Sequence, residues 1–400
     1  MKFLTLLFAF FSIQLYPNNL KSWFLTASAL PQNFHPHLLL ASRQWSLVPD
    51  KNFGEPPCQI PHSSSHLGIQ AAPSLIFVHL GGRLPASLYP VLRQARFFNQ
   101  NAPIYLLTDS SGSALLDHAL LSCEKIELVQ TDLLHKTKEH RTFCELIQAD
   151  PNLPNHYLIY TLERFFYLFD FIQERQLHDL FHLENDTLLY ADLNELLPLF
   201  EKEGSRLATP FLSRVAAVPC FVYIKDSHSL ASFINFTLSW AEKYEGINPY
   251  IGVSDMKCLA YFYRTYGKEA LTVLPTLMAE YPYYYRKRSS MIGTDNRTQL
   301  DFLATNEELF SGRLFDAATF GVFANGNDRE FFPESRSGAI HFRSLFDPRH
   351  FSLFWEKDSL DRPIPHVEFK GKKYAIVNLH LHSKLVEGFT SYNTNQSFFP

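Results

Sequence analysis

The hydrophobic pattern becomes regular at Ser74. Leu75-Ile76-Phe77-Val78-His79-Leu80 is a nearly continuous apolar run closed by Gly81-Gly82, which predicts a short strand buried on both faces. Pro85 then opens a helical period through Leu88, Val91, Leu92, Ala95 and Phe98. A second strand is predicted from Pro103 to Leu107, ending in Thr108-Asp109, and a third at Ile126-Glu127-Leu128-Val129. Strand, helix and strand at this spacing predict an α/β fold with right-handed crossovers and helices on both faces of a parallel sheet. Ligands of such sheets sit at the carboxyl ends of the strands. His79, Gly81 and Asp109 fall at predicted strand ends and are candidate binding residues.

Phe181 to Tyr190 begins apolar, delivers Glu184 and Asp186, and becomes apolar again. In an extended segment the two carboxylates would project from one edge, about 6–7 Å apart. Hard oxygen donors at that spacing suit a divalent cation carrying a phosphate-bearing substrate. The plainer alternative is a strand end with two solvated acids. Just ahead, Tyr157 to Leu177 predicts a strongly apolar helix in which Arg164 is the odd residue. It can reach a phosphate or pair with a carboxylate.

Further along, Phe221 to Asp226 predicts a strand, followed by a helix through Leu230, Phe233, Ile234 and Leu238. In the stretch from Val253 to Ala260, Ser254 is placed as an N-cap and Asp255 in the first helical turn, where dipole stabilisation alone would explain an acid. Leu314 to Asp328 is rich in Ala and Gly, which allows close backbone approach, and Asn325-Gly326 signals a turn. From Ala375 to Lys384, alternation places Asn378, His380 and His382 on one face of a strand. A lone histidine is more often structural, and two in phase beside a lysine are less easily dismissed as such.

Composition bounds the function. Apolar residues make up 46% and aromatic ones 15%, as in a globular chain. A net charge of −4 gives no general affinity for nucleic acid. The five cysteines are scattered without a CxxC pair, which argues against a zinc site or a disulfide scaffold. Three regions are expected: a signal-like or membrane-anchoring apolar segment at 1–30, a Pro/Ser-rich extension at 31–73, and the folded domain at 74–390. The run from Phe3 to Tyr16 has the length of a signal h-region and is short for a membrane span. A cleaved signal implies export, and an anchor implies membrane association with a catalytic body on the cytoplasmic face.

With these residues in order, the chain resembles bacterial glycosyltransferases of the GT-A fold. Their DxD metal motif corresponds to Glu184-Asn185-Asp186, with Glu in place of the first Asp, and the resemblance runs from Ser74 to Lys384. It implies a Rossmann-like, mixed and mainly parallel sheet flanked by helices. It also implies a nucleotide-diphosphate sugar as donor, a saccharide, glycoconjugate or other hydroxyl acceptor, and Mn²⁺ or Mg²⁺ as cofactor. The implied metal ligands are Asp186, Glu184 and the late histidine, taken as His382 with His380 in reserve. Lys384 is then expected at the diphosphate, beside His79, Gly81, Asp109, Arg164 and Glu184 as substrate-binding residues. An inverting enzyme needs a base, for which Asp255 and Asp316 are the candidates, and a retaining one does not. A paired-carboxylate hydrolase would not need His382 and Lys384. The other alternative is an exported, catalytically inactive sugar-binding module of the same fold.

Overall fold

The computed structural model describes residues 72–148, 156–243, 254–281, 296–328, 332–341, 343–393, 397 and 399–400. The chain divides into two compact units, Met1–His62 and Ser63–Pro400. The first unit, the expected N-terminal segment, most of the 31–73 extension and Val253 lie outside the described residues. Among the described residues no helix is long and apolar enough to cross a membrane.

The strands in chain order are β1 (Ser74–His79), β2 (Ile104–Thr108), β3 (Ile126–Gln130), β4 (His178–Leu183), β5 (Thr187–Leu189), β6 (Leu207–Ser213), β7 (Ala216–Ala217), β8 (Phe221–Asp226), β9 (Thr272–Leu274), β10 (Arg313–Phe315), β11 (Ser352–Lys357), β12 (Pro363–Phe369) and β13 (Lys372–His380). The larger sheet has the order β3-β2-β1-β4-β8-β6-β7, with β9 beside β6. Strands β3, β2, β1 and β4 run parallel, β8 is antiparallel to its neighbours, and β9 is parallel to β6. The sheet is therefore mixed, mainly parallel and flanked by helices, as the sequence predicts.

The apolar runs are buried because the sheet is covered. All six residues of β1 are buried, and its neighbour β4 is buried from Leu180 to Leu183. Helix Leu88–Phe98 presents Leu88, Val91, Leu92, Ala95 and Phe98 inward, the set that its period predicts. Full burial of one such side chain contributes about 1.5–3 kcal/mol. Strand β2 lies on one side of β1 and β4 on the other, so the direction of winding reverses there. A crevice at the carboxyl ends of the strands beside such a reversal is where ligands bind.

A smaller sheet has the order β10-β13-β12-β11, with β5 on β13. The antiparallel pairing of β5 with β13 sets Thr187 opposite His380. Residues after 390 also bond to the body. Ser391 N–H donates to Gln94 Oε1 at 2.8 Å, and Trp355 Nε1 donates to Ser397 O at 3.0 Å.

The loop after β1 is fixed by Asp109. Its Oδ2 accepts from Gly81 N at 2.6 Å, and its Oδ1 accepts from Gly112 N at 2.7 Å as an N-cap. Gly81 has φ +97°, a conformation that glycine adopts without a Cβ penalty. Burial pushes the Asp109 carboxyl up, but the Ser111 hydroxyl and the two glycine amides outweigh it and leave it below its usual range. The stability it adds is therefore present above its unfolded pKa of 3.8 and lost as pH falls through the lower folded value. Asp109→Ala should cost about 1–2 kcal/mol, read by denaturant unfolding at neutral pH, with a smaller difference from the native chain in acid.

Candidate active site

Glu184 and Asp186 do not lie on one strand edge. Strand β4 ends at Leu183, and Glu184 to Thr187 form a turn closed by Thr187 N–H donating to Glu184 O at 3.1 Å. The chain then leaves the larger sheet and enters the smaller one as β5. Asn185 holds the turn against β1, its Nδ2 donating to Val78 O at 3.2 Å and lying 3.3 Å from His79 Nδ1. The turn makes the two acids converge, which an extended strand would not.

The histidine comes from the other sheet. Leu381 N–H donates to Asp186 O at 2.9 Å, extending the β5–β13 pairing to the turn. That register sets His380 Nε2 3.1 Å from Glu184 Oε2 and 3.2 Å from Asp186 Oδ1. One donor atom from each of the three residues lies within 4.8 Å of the other two. Burial opposes a charge on His380, but Asp186 and the Cys220 thiol outweigh it and hold the imidazole well above its ordinary pKa.

The expected phase of the histidines fails for a local reason. Strand β13 ends at His380 and the chain turns at His382-Ser383, so His382 is no longer in register with His380. Its ring packs edge-on against His380, centroids 4.4 Å apart, and edge-on against His341 at 5.7 Å. Burial and the neighbouring His380 push its pKa down to about 4. The donor atom between the two carboxylates is thus His380 Nε2. Lys384 has φ +59° and its ammonium lies 3.2 Å from Asp328 Oδ2.

Arg164 joins two acids. Its Nη1 donates to Glu184 Oε1 at 2.5 Å and its Nη2 to Asp255 Oδ2 at 2.7 Å. Ser254 caps the helix Asp255–Tyr266 as expected, accepting from Lys257 N at 3.4 Å. Glu184 is held well below its usual pKa because Arg164 and His380 outweigh the opposing effect of burial. Burial and the nearby Glu184 push Asp255 up to about 6 despite Arg164.

Asp316, a candidate base in the sequence, is held by the backbone. It is 0% exposed, and both oxygens are engaged by backbone N–H groups. Oδ1 accepts from Thr319 N at 2.8 Å and Phe320 N at 2.9 Å; Oδ2 accepts from Gly321 N at 2.8 Å and His380 N at 3.0 Å. The carboxylate ties the start of helix Phe320–Asn325 to the end of β13 and so positions His380. Gly321 permits this approach, since a Cβ there would lie 2.1 Å from His380 O. The Ala/Gly-rich run carries that signal.

Sequence reasoning misses Cys220, whose thiol donates to Asp316 O at 3.1 Å and whose carbonyl accepts from Glu184 N at 3.2 Å. An isolated cysteine in an apolar run offers no local signal of such a place. The candidate binding residues Gly81 and Asp109 are bonded to each other, Gly81 N–H donating to Asp109 Oδ2. Among the described residues, His79 Nε2 and Asn185 Oδ1 are buried without a hydrogen-bond partner.

No family model matches the chain, and no curated protein matches it. Among solved structures it is similar to mouse xyloside xylosyltransferase 1 in its apo form, at 11% identity and TM-score 0.38, covering 51% of this chain and 85% of that one. It is also similar to the apo-form glycosyltransferase GlyE of Streptococcus pneumoniae TIGR4, at 14% identity and TM-score 0.34, covering 50% of this chain and 45% of that one. A third match is an active-site mutant of LgtC, at 13% identity and TM-score 0.33, covering 51% of this chain and 73% of that one.

Proposed function

We propose that the chain is a metal-dependent glycosyltransferase that moves a sugar from a nucleotide-diphosphate donor to a hydroxyl acceptor. One observation carries the reading: Glu184, Asp186 and His380, from two sheets, converge beside the carboxyl end of β4. Two carboxylates and an imidazole suit Mn²⁺ or Mg²⁺, with Mn²⁺ more tolerant of the nitrogen. When bound, the cation supplies charge stabilisation at the leaving diphosphate as the anomeric C–O bond breaks.

The chain's own residues do the rest. Asp316 and Gly321 hold His380 in place from behind. Arg164 fixes the outer oxygen of Glu184, leaving the other oxygen toward His380. Asp255, held on the second arm of the same guanidinium, is the acid we assign to the sugar or acceptor hydroxyl. His79 and Asn185 offer buried polar atoms at the end of β1, each costing about 1–3 kcal/mol while unsatisfied. A polar donor ligand would offset that cost. Lys384 can reach a diphosphate once released from Asp328, with which its pairing is partly exposed.

Thermal unfolding of the full chain with Mn²⁺ and a panel of nucleoside diphosphates tests this. A nucleotide at 100 times its dissociation constant should add about 2.7 kcal/mol of stability, and only with the metal present. The shift should vanish in Asp186→Ala. No metal-dependent shift with any nucleotide would overturn the transferase reading.

A further inference from the structure

Helices Lys138–Gln148 and His156–Arg175 bring together a second set of donors that shares no residue with the site above. His140 and Cys144 are one turn apart on the first helix and so share a face. Glu163 faces them from the second, its Oε1 3.4 Å from His140 Nε2. One donor atom each from His140, Cys144 and Glu163 lies within 4.8 Å of the other two. On the far side of the ring, His140 Nδ1 is 2.5 Å from Asp170 Oδ2, and both side chains are fully buried. Asp170 is itself fixed, its Oδ1 accepting from Thr137 N at 3.0 Å. Phe143 stacks on Phe166 at 4.2 Å and locks the two helices together.

A carboxylate on the far nitrogen is the arrangement that orients a histidine ligand and sets its tautomer. A cation already lies among the donors: Lys136 Nζ is 3.6 Å from Cys144 Sγ and 3.9 Å from Glu163 Oε1. Its side chain is 35% exposed and can swing into solvent.

We propose that His140 Nε2, Cys144 Sγ and the Glu163 carboxylate bind a borderline-soft divalent cation such as Zn²⁺, with Asp170 as the positioning residue. A thiolate, an imidazole and one carboxylate suit zinc or cobalt, whereas Mg²⁺ and Ca²⁺ favour oxygen alone. Three protein ligands leave a fourth tetrahedral position for water. On binding, the Cys144 thiol and the His140 ring, at Nε2, each release a proton to solvent, Nδ1–H stays on Asp170, and Lys136 moves aside. The absence of a CxxC pair is no obstacle, because one helix supplies two ligands at i and i+4 and its neighbour supplies the third.

Titration of the full chain with Co²⁺ alone tests the site. A thiolate-to-cobalt charge-transfer band should grow to saturation, be abolished by added Zn²⁺, and be absent in Cys144→Ser. It should persist in Asp186→Ala, because the first site offers oxygen and imidazole donors. Glu163→Gln should weaken binding while the band remains detectable, which covers the case in which Cys144→Ser fails to fold. Asp170→Asn should weaken binding by roughly 10–100-fold, and Lys136→Gln should tighten it by removing the competing cation. No band in the native chain, or a band that survives Cys144→Ser, overturns the proposal. Unchanged affinity in Asp170→Asn overturns the positioning role.

Discussion

Asp186→Ala is expected to reduce sugar transfer by about 10³-fold or more and to remove the Mn²⁺-dependent thermal shift, while leaving the metal-free chain folded. A cation at the leaving diphosphate contributes several kcal/mol to transition-state stabilisation, and each 1.36 kcal/mol is a factor of about ten in rate. Asp186 supplies one of the three donors, with its Oδ1 3.2 Å from His380 Nε2. Its side chain is 17% exposed and lies at the mouth of the turn, so truncation opens little space in the core. Glu184 is different. It is also bonded to Arg164, and removing it strands that guanidinium against Asp255, which mixes a stability defect with the lost ligand. Asp186 therefore gives the cleaner experiment. Turnover at the native rate in Asp186→Ala with no added metal would refute metal dependence.

The parts of the molecule legible in the sequence are those set by local burial. β1, β2 and helix Leu88–Phe98 declare themselves because full burial forces apolar runs and a helical period forces apolar spacing. Arg164 stands out as a cation in the apolar middle of its helix, and it does bridge two acids. The site's assembly is less legible because it depends on pairing between segments distant in the chain. Nothing near Asp186 announces that the next residue pairs with His380 in a second sheet. Nor does alternation reveal where β13 stops, so in sequence His382 looks equivalent to His380. Strand β11 escapes prediction because its residues are half-buried or exposed on both faces, and β12, although its burial alternates, carries Pro363 and Pro365, which argue against a strand. The Cys144 group is hidden for a related reason: its third ligand and its orienting carboxylate lie on another helix.

Asp316→Asn is expected to destabilise the chain by about 3–5 kcal/mol and to lower its melting temperature by roughly 5–15 °C. The carboxylate accepts two backbone N–H groups on each oxygen in a fully buried site. An amide of the same shape must turn its NH₂ toward one of these pairs, which sets donor against donor and leaves two buried amides unsatisfied. Were Asp316 instead a catalytic base, Asp316→Asn would be inactive with an unchanged melting temperature. Gly321→Ala probes the same contact while keeping the carboxylate chemically intact, its Cβ pressing on both the His380 backbone and, at 2.8 Å, Asp316 Oδ2. Its new Cβ would meet the backbone of His380 at 2.1 Å, so the helix start and the end of β13 must move apart. If Asp316 acts by holding His380, Gly321→Ala should also lose both stability and the Mn²⁺ response. A Gly321→Ala variant that keeps native stability and metal binding would show that His380 is held by its strand alone, and would return Asp316 to the list of candidate bases.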